Sequence, residues 1–243
     1  MPNVKSKDEV RNKIFELTEL YYELEHSKKE FVPGNTKVAY SGRVFDSEEL
    51  KYGVNSILKY WLTSGEYTQE FEENMKNYFK ASNSLLVNSG SSANLLMMST
   101  LCSKNINNHL NPGDEVITPA VTFPTTLTPI IQNNLVPVFV DCQVGEYNID
   151  INLIEEAISD KTRCIFIPHT VGIPANMDAI MKIVDKYNLF FLEDGCDCLG
   201  ATWDNKLMGT FGDMSSISFI LGIEALRDCF IAVKASILIL YTN

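Results

Sequence analysis

The apolar positions of this chain follow two different periodicities. In the first 80 residues they recur at helical spacing. Val10, Ile14, Leu17, Tyr21 and Leu24 alternate steps of four and three, which predicts one amphipathic helix whose apolar stripe docks on its own domain. An extended segment containing Pro33 and Gly34 follows over 31–45. A second helix is expected over 47–61, opened by Ser47 with Glu48 and Glu49 in the first turn, where the helix dipole favours negative charge. The run TSG at 63–65 breaks it, and a third helix is expected over 68–79.

From residue 85 onward, short apolar runs of strand length alternate with helical stretches. Strands are expected at 85–88, 115–118, 136–140, 163–168, 189–193 and 215–219. Helices are expected near 93–103, 125–133, 152–159 and 178–187, and NPGD at 111–114 reads as a turn. Such alternation predicts an α/β fold with a mostly parallel sheet covered by helices on both faces. The chain thus divides into a helical and extended segment over 1–80, an α/β domain over 81–219 and a tail over 220–243.

Composition narrows the function classes. The 243 residues are 45% hydrophobic with a mean hydropathy of −0.03, as in a globular protein with a sizeable core. A net charge of −11 and a pI near 4.8 leave no basic stripe to replace phosphate counterions, so nucleic acid is not an expected partner. The six cysteines contain no C-x-x-C pair, and Cys102, Cys142 and Cys164 lie in apolar runs as buried thiols. His26, His109 and His169 have no metal-ligand spacing. The charged, polar N-terminus has no apolar core of a secretory signal, and a reducing cytoplasm is the expected setting.

Candidate chemistry begins at SGSSAN, residues 89–94, between a run at 85–88 that reads as a buried strand and a run at 95–101 that reads as a buried helix. Unpaired N–H groups at a helix start, together with the dipole, make an anion site, and Gly90 lets a phosphate approach the backbone. The same residues would also serve as a tightly packed turn. Glu193 and Asp194 close another strand, where ligands bind in open parallel sheets, and Ser218 stands near the end of the last one. A phosphate loop, a strand-end Asp and a late strand-end Ser match pyridoxal phosphate, which needs a phosphate cradle, a carboxylate on its pyridine nitrogen and usually a lysine.

Several ordered motifs carry a resemblance: FVPG at 31–34, SGRV at 41–44, WLTSG at 61–65, the loop at 89–94 and PGDEVIT at 112–118. FPTT at 123–126, EDGCD at 193–197 and GTFGD at 209–213 continue it. The chain resembles, from about residue 9 to 219, the sugar aminotransferase and dehydratase family that uses pyridoxal phosphate on the aspartate-aminotransferase fold. It is most similar to the 3-dehydrases of CDP-4-keto-6-deoxyglucose in lipopolysaccharide sugar synthesis. The resemblance implies that 81–219 is the cofactor-binding large domain and that the small C-terminal domain is missing. It implies that Gly90 and Ser91 hold the cofactor phosphate through backbone N–H groups and that Ser218 adds its hydroxyl. Phe123 would stack on the pyridine ring, or else be a core residue, and Asp194 would pair with the ring nitrogen, or else cap a turn. Asp197 would line the site or bond only to backbone. Cys196 matches one ligand of the [2Fe-2S] cluster of full-length CDP-sugar members; the later ligands are not found, so no metal site is assigned and a small buried thiol is the simpler reading. The family's homodimers imply a second copy as partner, beside a nucleotide-linked keto-sugar.

The chain departs from the family after residue 219. The reactive position, five residues beyond Ser218, is Lys in aminotransferases and His in 3-dehydrases, but here it is Ile223, so no catalytic residue is assigned. The flanking Gly-rich run is absent, and Lys234 is the only lysine of the tail. The abrupt change reads as a shifted reading frame or a premature stop, and the tail is expected to pack poorly. Its apolar stretch 229–241 is shorter than the ~20 residues of a membrane span, so no membrane partner is expected. The resemblance implies removal of the 3-hydroxyl of a nucleotide-linked 4-keto-6-deoxyhexose. The rival readings are a sugar aminotransferase, or an inactive remnant that binds a phosphate ligand or an intact subunit.

Overall fold

In the computed structural model, residues 6–27, 30–38, 45–61, 63–219 and 236–240 are described, and the chain divides into two compact units. The first comprises 1–71 with 221–233, and the second 72–220 with 234–243.

In the first unit, α1 (Lys7–Glu25) begins at Ser6, whose hydroxyl accepts from Glu9 N. Helix α2 (Ser47–Lys59) begins with a capping box between Asp46 and Glu49, which satisfies two otherwise orphaned donors. The two helices meet through Lys51 Nζ and Glu19, 2.9 Å apart, while the Tyr22 hydroxyl donates to Phe45 O at 2.9 Å. The expected stripe of α1 is displaced. Arg11, Ile14, Phe15, Thr18 and Tyr22 are the partly covered residues, whereas Val10, Leu17, Tyr21 and Leu24 are exposed. Helix α1 docks on a face rotated from the one its apolar spacing marks, because that face follows α2 and the Phe45 carbonyl. Helix α3 (Glu66–Phe79) completes the N-terminal elements.

The second unit is built on β1 (Asn83–Val87), α4 (Gly90–Leu101), β2 (Glu115–Pro119), α5 (Pro124–Gln132), β3 (Val136–Val140) and α6 (Ile151–Ile154), which runs on as a 3-10 turn. Then come β4 (Thr162–Pro168), α7 (Met177–Tyr187), β5 (Phe190–Asp194), the short hairpin β6 (Thr202–Trp203) and β7 (Lys206–Leu207), β8 (Met214–Ser218) and β9 (Ser236–Leu240). The sheet order is β1-β9-β8-β5-β4-β2-β3. Strands β8, β5, β4, β2 and β3 are parallel, and β9 runs antiparallel between β1 and β8. The α/β fold with a mostly parallel sheet is therefore as expected.

Alternation along each strand sorts the core into two halves. Ile117, Ile165, Ile167 and Phe191 pack with Met177, Ile180, Ile183 and Val184 of α7 on one face. Val116, Cys164, Phe166, Leu192 and Met214 pack with Met97, Met98 and Leu101 of α4 and Ile130 of α5 on the other. Each of these large side chains, fully buried, contributes roughly 1.5–3 kcal/mol.

Two expectations change. Strand β1 is not buried: it is the edge of the sheet, and Leu85 is 41% exposed. The tail supplies a strand, β9, which meets backbone groups of β1 and β8 that would otherwise be open edges. Ile223, Cys229 and Lys234 lie outside the described residues. Among the described residues no helix is long and apolar enough to cross a membrane.

Candidate functional site

The parallel strands end together, and the candidate residues lie at that end. Glu193 and Asp194 are the last two residues of β5, so their side chains leave opposite faces of the sheet. Asp194 shares its face with α4 and α5. It is 5% exposed, and both of its oxygens accept hydrogen bonds. Oδ2 accepts from Asn94 Nδ2 and from Thr126 Oγ1, each at 2.7 Å. Oδ1 accepts from the backbone N–H of Cys196 at 3.3 Å. Ser216 Oγ lies 3.3 Å from Oδ1 but 2.6 Å from Asn94 Oδ1, so its single proton goes to the amide. Asn94, Thr126 and Ser216 are fully buried.

Helix α4 opens one turn before Asn94. Ser89 caps it, its hydroxyl accepting from Ser92 N at 3.1 Å. The N–H groups of Gly90 and Ser91 belong to the first turn, which has no intrahelical acceptors. Gly90 is walled in: a Cβ placed there would lie 2.6 Å from Cys196 Sγ and 3.5 Å from Ser218 Cβ. Gly90, Ser218 and Cys196 are thus brought together. Residues 90 and 94 are four apart on one helix, hence on one face and roughly 6 Å apart along the axis.

The remaining expected residues are placed as follows. Ser91 sits in the first turn of α4. Phe123 stands immediately before α5 and is 68% exposed, so the core alternative does not hold for it. Asp197 lies in the turn after β5. Burial first, and then the Asp194 charge, raise its pKa, against a backbone hydrogen bond with Val171. Burial, followed by the same Asp194 charge, also raises the Cys196 thiol, which stays protonated. Among the described residues no group of three or more His, Cys, Asp or Glu side chains is arranged to hold a metal ion.

Glu193 serves the scaffold. Its Oε1 accepts from Phe211 N and Gly212 N, both at 2.7 Å, and its Oε2 from Gly209 N at 2.8 Å and His169 Nε2 at 3.1 Å. His169 Nδ1 accepts from Ala175 N at 3.3 Å, so the ring donates through Nε2. This carboxylate ties the 209–212 turn to β5. Asn94, Thr126 and Ser216 were not singled out from the sequence. The signal for Ser216 was there: alternation puts it on the Ser218 face of β8. The signal for Asn94 was its four-residue spacing from Gly90.

Residues 45–222 match the DegT/DnrJ/EryC1/StrS aminotransferase family. The chain is 44% identical over 211 residues to the lipopolysaccharide biosynthesis protein RfbH of Salmonella typhimurium, covering 86% of this chain and 48% of that protein. It is 43% identical over 199 residues to the dTDP-4-dehydro-2,6-dideoxy-D-glucose 3-dehydratase of Saccharopolyspora spinosa, covering 82% of this chain and 43% of the relative. Among solved structures, an E. coli GDP-4-keto-6-deoxy-D-mannose-3-dehydratase with bound hydrated pyridoxal phosphate superposes with a TM-score of 0.78 at 32% identity. That match covers 85% of this chain and 51% of the other. The chain spans about half the length of the relatives it matches. With more than half of its residues inside the matched region, the chain belongs to the DegT/DnrJ/EryC1/StrS aminotransferase family.

Proposed function

We propose that this chain is the cofactor-binding part of a pyridoxamine- or pyridoxal-phosphate-dependent enzyme that removes the 3-hydroxyl of a nucleotide-linked 4-keto-6-deoxyhexose. The observation that carries this reading is the buried Asp194 carboxylate, fixed one helical turn from the α4 N-terminus and the Ser218 side chain. A phosphate and a ring nitrogen need those two groups at the two ends of one small site. The donor set fits: Gly90 and Ser91 offer backbone N–H groups, and a side chain at position 90 would clash with Cys196. The resemblance to dehydratases, one of them solved with pyridoxal phosphate, supports the choice of reaction.

In this reading Gly90, Ser91 and Ser218 hold the phosphate. Asp194 holds a proton on the ring nitrogen, the exposed Phe123 ring covers a face of the cofactor, and Asp197 borders the site. The cofactor, when bound, supplies an amine for the 4-keto carbon and a ring that accepts electrons. A second copy of the chain completes the assembly, a point sedimentation tests. A sugar aminotransferase is the alternative of the same chemistry. The inactive remnant is favoured by one observation, Ile223 at the reactive position. Incubation with a nucleotide-linked 4-keto-6-deoxyhexose and pyridoxamine phosphate separates these readings. Loss of the 3-hydroxyl supports the dehydratase, amino-sugar formation the aminotransferase, and binding without turnover the remnant. Borohydride treatment with pyridoxal phosphate is expected to trap no specific bond between cofactor and lysine, and a pyridoxyl adduct confined to a single lysine of the folded domain would contradict this.

A further inference from the structure

Asp194 has four lone-pair directions, and the structure spends them unequally. Both directions of Oδ2 are taken, by the Asn94 amide and the Thr126 hydroxyl at 2.7 Å each. Oδ1 has one backbone donor, Cys196 N, at the longer distance of 3.3 Å, and the Cys196 thiol is a further, weak partner of the carboxylate. The nearby Ser216 hydroxyl gives its proton elsewhere, to Asn94 Oδ1 at 2.6 Å. That bond also fixes which way the Asn94 amide points. Its oxygen must face Ser216, so its NH2 faces Asp194 and the carbonyl of Thr125, 3.2 Å away. A flipped amide would set an oxygen against two acceptors and an NH2 against the Ser216 donor.

We infer that Asn94 is a positioning residue held in register by Ser216, and that the pair leaves Oδ1 of Asp194 as the one oxygen able to accept from a cationic ring nitrogen. This inference rests on the cofactor reading above and deepens it. The residues that make it span α4, α5 and β8, three elements that the sequence separates widely and the sheet end brings together. Such supporting bonds orient a charged group without touching its ligand, as outer partners of metal ligands do, whose loss typically weakens metal binding about 10–100-fold.

The test uses pyridoxamine phosphate labelled with nitrogen-15 in the ring, added to the full chain. Wild type must first bind it; failure at that step overturns the cofactor reading itself. Asn94→Leu keeps the volume and removes the donor. It is expected to bind at least about tenfold more weakly, and the ring-nitrogen signal should move toward the unprotonated position at a lower pH than in wild type. Ser216→Ala removes the bond to the amide oxygen and loosens the amide, and should shift the signal in the same direction by less. A purely structural role would lower affinity and thermal stability and leave the pH midpoint of the ring-nitrogen signal where wild type has it. That result, or unchanged binding, overturns the inference. Should Asn94→Leu fail to fold, the Ser216→Ala midpoint decides alone, and an unmoved midpoint there overturns the inference.

Discussion

Glu193 and Asp194 are adjacent in the chain and serve opposite faces of the same sheet, one accepting from the 209–212 turn and the other from α4 and α5. Two buried carboxylates at a strand end look alike in a sequence. Their partners separate them. Every partner of Glu193 is a backbone N–H or the His169 ring, whereas Oδ2 of Asp194 is held by the side chains of Asn94 and Thr126 and its Oδ1 by one backbone N–H.

Glu193→Gln is therefore expected to act on stability. Whichever way the new amide turns, its NH2 faces two N–H donors, and a buried donor left without an acceptor costs about 1–3 kcal/mol. A loss of about 3 kcal/mol or more in urea unfolding is expected, with no separate effect on cofactor affinity in the folded fraction. A stability within about 0.5 kcal/mol of wild type contradicts the scaffold role.

Asp197 gives a pH dependence whose sign is fixed. Burial, and then the Asp194 charge, raise its folded-state pKa above the ordinary 3.8. Its protonated form fits the fold better, so the stability linked to it is full below the unfolded value and falls as the pH rises through the folded one. Asp197→Asn removes that loss. The variant should melt at a higher temperature than wild type at pH 7, and the gap should shrink as the pH approaches 4. A gap that is constant with pH contradicts the assigned cause.

Strand β9 tests the role of the tail. Leu238 lies between Leu85 of β1 and Ser216 of β8 in the register. Proline there removes a ladder N–H from an interior strand, which central strands do not tolerate. Leu238→Pro should lower the unfolding midpoint and loosen β1 from the sheet, which amide exchange at residues 83–87 would register. Unchanged exchange would show that β1 does not depend on β9.

Much of this was legible because periodicity is a local property. The six strands from β1 to β8 outside the small hairpin, and the helices between them, follow from apolar runs and turn residues alone. The position of β1 was not, since an apolar run such as LLV does not reveal whether its strand lies at an edge. Nor was β9, whose place depends on β8 just before it and on β1, whose Val87 pairs with Ser236, 149 residues further on. The α1 stripe misled because helical spacing marks an apolar face without saying which partner covers it. Gly90, Asp194 and Ser218 could be singled out because they stand at element ends. Asn94, Thr126 and Ser216 escaped because their role arises only when α4, α5 and β8 converge.

The most direct measurement for the central claim is a titration of pyridoxamine phosphate into the wild-type chain and into Asp194→Asn. Removing the charge from a buried pair costs on the order of 2–5 kcal/mol. Saturable binding by wild type, weakened more than about tenfold in the variant, is the predicted result. Superimposable curves, or no binding by wild type, would contradict the assignment of Asp194 and Gly90 to a cofactor site.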